Sequence, residues 1–366
     1  MGLISYSAYL WHQPLFAFAR LRSLEIPSFT LMLSLSIFSI ILAVFSWKFI
    51  ENPFRNKELI SKKNIFSLAA TFGVFFCTLG ITIDKTNFFE KQFLTELNDD
   101  LSETYSLLGF ARDGRLDFVE KWQYGKCFYF GGNINSYTLF KKEQCLRKDP
   151  SKKNILLIGD SFAAQWYFAL KNNFPEANIM QATASGCRPL LKSSGKKECI
   201  DLRKFIFNKF LPENSVDAII LAGRWKEDET KTHLKSTIKM LQQYSSDIYF
   251  IGPVLEYYDL LPRIILRNSI FGDQEDRELN LSNKHLDRWI MKDKFALSTA
   301  ISSIVTETSS KYISVIDLIC PNSQCSAFTP NKKLMTFDNA HLTVEGAEYL
   351  MLKIKENKLI NFKHIE

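Results

Sequence analysis

The sequence contains no Cys-x-x-Cys pair, no glycine-rich phosphate loop and no basic stripe interleaved with aromatic residues. The first absence argues against a zinc site, the second against a bound nucleotide and the third against a nucleic-acid partner. Histidine is scarce, at five residues, so a serine or cysteine nucleophile has few bases to draw on. No basic segment follows Met1, which fits a cleaved signal peptide poorly. Neither an internal repeat nor a low-complexity tract interrupts the 366 residues, a length with room for more than one domain.

Apolar residues are present in ordinary amount but are unevenly spread. Residues 1–83 hold long apolar stretches, whereas the remainder alternates as a soluble protein does. Three stretches read as membrane spans, with buried core helices as the alternative. Residues 4–18 form a short one that contains His12 and Pro14. Residues 29–50 are long enough to cross, with Trp47 and Lys48 as an interfacial anchor, and residues 65–83 carry no charge at all. The loop "ENPFRNKELISKKN" carries Arg55, Lys57, Lys62 and Lys63, whereas Asp84, Glu90, Glu96, Asp99, Asp100 and Glu103 follow the third stretch. The positive-inside tendency puts that basic loop in the cytoplasm and everything beyond residue 83 outside it. The formal net charge of +7 is therefore partly topology.

Six of the seven cysteines lie beyond residue 83. They fall into local couples, Cys127 with Cys145, Cys187 with Cys199 and Cys320 with Cys325, as an oxidising compartment permits. Local pairing is a preference among the fifteen pairings that six cysteines allow. Cys77 lies within the third apolar stretch.

The chain beyond the membrane part divides into residues 84–150, a stalk or extension, and residues 151–366, an exported domain. In the extension, a polar helical pattern near residues 90–108 precedes "CFYFGGNINSYTLFKKEQC", which reads as a loop that a local disulfide would close. In the domain, short apolar runs ("NILLIG", "NIMQAT", "VDAIILA", "DIYFIG", "ISVIDL") alternate with amphipathic helical patterns at 202–210, 230–243 and 287–308. That alternation predicts an α/β domain with a parallel sheet. Residues 257–284 fit no standard connection and read as a lid or insertion.

The first run ends in "GDSFAAQW", where Ser161 is either a nucleophile at a strand end or the cap of a helix. In open α/β sheets the ligand crevice lies at the carboxyl ends of the strands, and the amide of Ser161 would be an unpaired helix-start donor aimed at a developing oxyanion. Of the histidines, His12 lies in the membrane part, His364 at the chain end, and His233 and His285 in charged helical stretches. His341 in "FDNAHLTVEGAEYL" is different, because Asp338 three residues earlier can fix its tautomer and stabilise its imidazolium. A polar loop ahead of a helix opening at Thr343 is the plainer reading of the same residues.

"GDSF" at residues 159–162 and "DNAH" at residues 338–341 resemble the first and last blocks of the SGNH (GDSL-like) hydrolases and acyltransferases. The resemblance implies a flavodoxin-like three-layer sandwich around a parallel sheet, with Ser161 as nucleophile and Asp338 and His341 as its partners. It also implies an oxyanion amide from Gly186 in "ASGCRPL", with a turn glycine as the alternative reading of that residue. The third block departs: "LAGRW" places Arg224 where the family has asparagine, so Arg224 is a candidate substitute oxyanion donor, or Arg224 and Trp225 line the acceptor site, with a structural aromatic beside a surface arginine as the alternative. Phe162 stands where the membrane-linked branch often has histidine. "ISYSAYLWHQPLF" and "FIENPFR" are similar to the closing spans of membrane O-acyltransferases of acyltransferase family three, some of which continue through one further span into an exported SGNH domain.

That resemblance implies an O-acyltransferase, acetyl by preference, in a bacterial inner membrane with three spans and its SGNH domain in the periplasm. Its partners would be membrane lipid and an envelope glycan acceptor such as lipopolysaccharide O-antigen. No cofactor would be bound in the domain, and the acyl group would come ultimately from acetyl-CoA through the membrane part. The spans that carry the family's cytoplasmic histidine and arginine are not in this sequence, and His12 is not their equivalent. A truncated or split gene product, an internal start at Met1 or a separate chain supplying those spans is then expected. An esterase using water in place of the glycan, or an inactive glycan-binding module, remains the alternative.

Overall fold

The structure is a computed structural model, described here for residues 4–23, 27–55, 61–86, 92, 105, 116–129, 142–271 and 286–362. It divides into two compact units, one of residues 1–103 with 266–279 and the other of residues 104–265 with 280–366. Most of the expected stalk, the polar pattern near residues 90–108, most of the loop before Cys145 and residues 272–285 lie outside the described residues.

The first unit contains helices α1 (Ser5–Arg22), α2 (Phe29–Ser46) and α3 (Lys62–Thr86). α2 continues through a π turn, so that 27 residues run from Phe29 to Arg55, and α3 has 25. At 1.5 Å per residue both exceed the roughly 30 Å of a hydrocarbon core. Phe29, Ile41, Phe72 and Phe76 expose large apolar side chains, a surface suited to lipid and not to water. The expectation of three spans is corrected to two helices of sufficient length and apolarity. α1 has only 18 residues, carries His12 and Pro14 within it, and ends on Arg20 and Arg22. It lies against α2, with Trp11 Nε1 donating to Ser46 at 2.7 Å and Ser7 donating to Glu51 at 3.1 Å. Two apolar helices near the N-terminus suggest a membrane anchor.

The second unit is built on a six-stranded parallel sheet: β1 (Phe128–Tyr129), β2 (Lys153–Gly159), β3 (Ala177–Ala184), β4 (Ala218–Ala222), β5 (Asp247–Ile251) and β6 (Lys311–Ile313). Their order is β1-β3-β2-β4-β5-β6, a flavodoxin-like arrangement extended at one edge by β1. Helices cover both faces, so strand residues of both parities are buried and the strands read as continuous apolar runs. Ile155, Leu157, Ile220 and Tyr249 face one core, which Leu170 and helix α8 (Val344–Glu356) complete. Leu156, Ile158, Leu221 and Phe250 face the other, filled by helices α6 (Glu227–Leu241) and α7 (Asp293–Thr306). The short helices α4 (Ser161–Ala164) and α5 (Tyr167–Asn173) follow β2 directly.

Three disulfides join the local couples: Cys127–Cys145, Cys187–Cys199 and Cys320–Cys325. Cys77 is free and exposed on α3. "ISVIDL" departs from its expected strand. Only Ile313 belongs to β6, and Val315–Ile319 is a short helix whose N-cap Ser314 accepts from the Asp317 amide.

Candidate active site

Strand register sets the frame of the site. Gly159 pairs with Thr183 on one side and with Ala222 on the other. Residues just past those positions therefore share one edge of the sheet: Ser161 after β2, Gly186 after β3 and Arg224 after β4. This is the carboxyl edge, where parallel sheets hold their ligands.

Asp160 and not Ser161 caps the following helix. Its buried carboxylate accepts the Phe162 amide at 2.9 Å through Oδ1 and the Arg224 amide at 2.9 Å through Oδ2. Burial raises the pKa of Asp160, and the two amide bonds oppose that only in part. With capping done by its neighbour, the Ser161 hydroxyl is left to bond elsewhere: its Oγ lies 2.8 Å from His341 Nε2. On the far side of the imidazole, Nδ1 lies 2.7 Å from Asp338 Oδ2. An ionised Asp338 only accepts, so Nδ1 carries the proton and the Nε2 lone pair receives the Ser161 hydroxyl. The structure thus joins Ser161, His341 and Asp338 in one hydrogen-bonded line across 180 residues of sequence.

The Asp338–His341 loop is held from several directions. Asp338 Oδ1 accepts the amides of Ala340 at 2.7 Å and His341 at 2.6 Å. The Leu342 amide donates to Gln165 Oε1 at 3.0 Å, and the Thr343 side chain caps α8. Residues 257–261, which sequence reasoning could not place, brace the loop from outside: the Tyr257 amide donates to the Asn339 carbonyl at 2.8 Å and the Leu261 amide to the Asp338 carbonyl at 3.0 Å. Aromatic rings surround the imidazole, with Phe162 at 4.4 Å, Trp122 at 5.5 Å and Phe337 at 5.8 Å between ring centres. Trp122 comes from the segment before β1, which sequence reading assigned to a stalk.

Burial pushes the Asp338 carboxyl upward, but the His341 ring and the amides of His341 and Ala340 outweigh it and hold its pKa below the ordinary value. A carboxyl depressed in the folded state supports folding above its unfolded pKa of about 3.9. That support is lost only as pH falls through the lower folded value. The expected result is that Asp338→Asn lowers the denaturant midpoint at pH 6 and that the gap from wild type closes on acidification towards pH 2. A gap that does not change with pH would contradict the assignment of this carboxylate as ionised.

Gly186 adopts φ +65° in the turn after β3, and a Cβ there would meet nothing within 4 Å. Its glycine answers to backbone conformation and not to crowding. Arg224 reaches the site edge with a half-exposed side chain, but its backbone amide is spent on Asp160 and cannot serve an oxyanion. Its guanidinium bonds to Glu256, a residue that sequence reasoning missed because nothing local marks it. Trp225, expected as a substrate contact, is corrected to a core residue. It is 2% exposed, stacks on Phe250 at 4.2 Å and donates Nε1 to the Ile251 carbonyl. His233 lies on α6, while His285 and His364 lie outside the described residues.

The family model described as "SGNH domain (fused to AT3 domains)" matches residues 126–356. Among solved structures, the periplasmic domain of a lipopolysaccharide acetyltransferase from Salmonella ser. Paratyphi A is similar over 68% of this chain and 99% of its own, at 21% identity and a TM-score of 0.51. A variant of an acetyl xylan esterase from Geobacillus stearothermophilus matches over 59% of this chain and 98% of its own, at 14% identity and a TM-score of 0.34. A GDSL-like lipase from Bacteroides thetaiotaomicron matches over 62% and 98%, at 13% identity and a TM-score of 0.37. No curated protein sequence matches the chain.

Proposed function

Because the chain belongs to the family of SGNH domains fused to AT3 domains, we propose that it is a membrane-anchored O-acyltransferase that passes an acyl group, acetyl by preference, through Ser161 to a hydroxyl of a cell-envelope polysaccharide. The observation that carries this reading is the line of bonds from Ser161 Oγ to His341 Nε2 at 2.8 Å and from His341 Nδ1 to Asp338 at 2.7 Å.

In the first half-reaction His341 Nε2 takes the Ser161 proton as Oγ attacks the acyl carbonyl, and the resulting imidazolium is stabilised by Asp338. The tetrahedral oxyanion is met by the amides of Ser161 and Gly186, each such donor lowering the barrier by about 3 kcal/mol. Collapse breaks the bond to the leaving group, which departs with the proton from His341. The acceptor hydroxyl then gives its proton to His341, attacks the acyl-Ser161 carbonyl and releases Ser161, which recovers the proton. The acceptor class is supported by the similarity to a domain named as a lipopolysaccharide acetyltransferase and by the family's fusion to AT3 domains. The domain would work on the outer side of the inner membrane, anchored by α2 and α3, with acetyl-CoA as the ultimate acyl source through the membrane part.

The test incubates the full chain in detergent with p-nitrophenyl acetate, with and without an O-antigen polysaccharide, and follows acetate and sugar by mass spectrometry. Acetylated sugar that depends on Ser161 is the expected result. Ser161-dependent acetate with no acetylated sugar makes the protein an esterase, and turnover unaffected by Ser161→Ala ends the reading altogether.

A further inference from the structure

Glu256 lies just past β5, is 3% exposed, and has no place in the line of Ser161, His341 and Asp338. A carboxylate buried this deeply is tolerated only when it is paired and hydrogen-bonded, and Glu256 has two cations. Arg224 donates to its Oε2 from Nε at 3.1 Å and from Nη2 at 2.5 Å, and Lys294 Nζ, in the first turn of α7, lies 3.2 Å from its Oε1. The Glu256 carbonyl also accepts the Met291 amide at 2.8 Å, which fixes the chain leading into α7. Two segments distant from Glu256 in sequence, one carrying Arg224 and one carrying Lys294, thus converge on its carboxylate.

The consequence falls on Arg224. Both of its bonds to Glu256 use the Nε–Nη2 side of the guanidinium, and among the described residues Nη1 makes no hydrogen bond. The side chain is 50% exposed even though its anchor is buried. Asp160 straps the Arg224 amide beside Ser161, and the Arg224 Cζ sits 5.9 Å from the centre of the Phe162 ring, which itself lies 4.4 Å from the His341 ring. A half-exposed cation clamped by one edge near the Phe162 ring, which packs on the His341 imidazole, is pre-organised, since its rotamer entropy is already spent.

Resting on the acyl-transfer reading, we infer that Glu256 and Lys294 are positioning residues that hold the free Nη1 edge of Arg224 over Ser161, where it donates to the oxyanion that forms on the acyl carbonyl. Glu256 fixes the guanidinium, and Lys294, paired with Oε1, leaves Oε2 turned towards Arg224. No bond is made or broken at any of the three, and the donated hydrogen bond strengthens as charge builds on the carbonyl oxygen.

The test measures steady-state hydrolysis of p-nitrophenyl acetate by the full chain in detergent. Arg224→Ala is expected to lower kcat by about 10²-fold while KM changes by less than about twofold, the signature of a donor used only in the transition state. Millimolar guanidinium should restore part of that loss. It should restore nothing in the Arg224→Ala, Glu256→Gln double variant, which lacks the carboxylate to seat it. Glu256→Gln alone should fall between wild type and Arg224→Ala, and the double variant should be no slower than Arg224→Ala, because the two act as a unit. Near-ultraviolet circular dichroism identifies any variant that has merely lost its fold, and guanidinium rescue reports a donor role that a structural defect does not mimic. An Arg224→Ala protein with wild-type kcat, beside an inactive Ser161→Ala, overturns this inference and leaves the acyl-transfer reading standing. Full activity of Ser161→Ala overturns both.

Discussion

Ser161→Ala is expected to lower turnover of an acetyl ester by at least about 10⁴-fold, the scale lost when a nucleophile is removed from a serine–histidine pair, and to leave the melting temperature of the domain almost unchanged. The second half of that expectation follows from the division of labour at the end of β2. Had Ser161 been the N-cap of α4, its truncation would cost about 1 kcal/mol in helix stability. The cap is Asp160, whose carboxylate takes the Phe162 amide, so alanine at position 161 removes only the bond to His341. Nε2 of His341, which is partly exposed, then turns to water, which limits the cost to a fraction of a typical hydrogen bond. A fluorophosphonate should label the wild-type chain and not the variant. Equal labelling of both would place the nucleophile elsewhere. A large drop in melting temperature would show that the hydroxyl is structural and not chemical.

That division also explains what the sequence revealed of the site and what it hid. β2, β3, β4 and β5 were legible because strands buried on both faces must be apolar at successive positions, and "NILLIG" and "VDAIILA" are. β1 was invisible: two residues carry no period, and Phe128 and Tyr129 read as part of a disulfide loop. "ISVIDL" misled because Ser314 followed by Asp317 is a capping pattern that outweighs the β-branched residues around it. Asp338 and His341 could be read together because their bond is local, at a spacing of three. Glu256 and Lys294 could not, because Glu256 meets Arg224, and Lys294 meets Glu256, only through the order of β4, β5 and α7 in space. Trp225 misled for the same reason. A tryptophan beside an arginine at a strand end looks like a ligand contact, but the chain turns it under the sheet onto Phe250.

Gly159→Ala should prevent the domain from folding, with a loss of more than about 4 kcal/mol, a size reached only through a named steric or electrostatic defect. Gly159 closes β2, a central strand flanked by Thr183 of β3 and Ala222 of β4. A methyl group built on its Cα would lie 1.8 Å from the Ala222 carbonyl oxygen and 2.7 Å from the Ala163 Cβ. Neither neighbour is free to yield. The first is backbone within the sheet, and the second belongs to α4, whose start is pinned by Asp160. Relief would require β2 and β4 to part at the edge where Ser161 and Arg224 emerge, so residual folded protein should also lose its reactivity towards a fluorophosphonate. Gly186→Ala is the control: its φ of +65° strains an alanine, but no atom lies within 4 Å of the added methyl, so the cost is confined to about 1–2 kcal/mol of backbone conformation. Equal melting temperatures for the two variants would mean that β2 and β4 do not approach at Gly159 as closely as the structure has them, and the register that sets Ser161 beside Arg224 would be wrong.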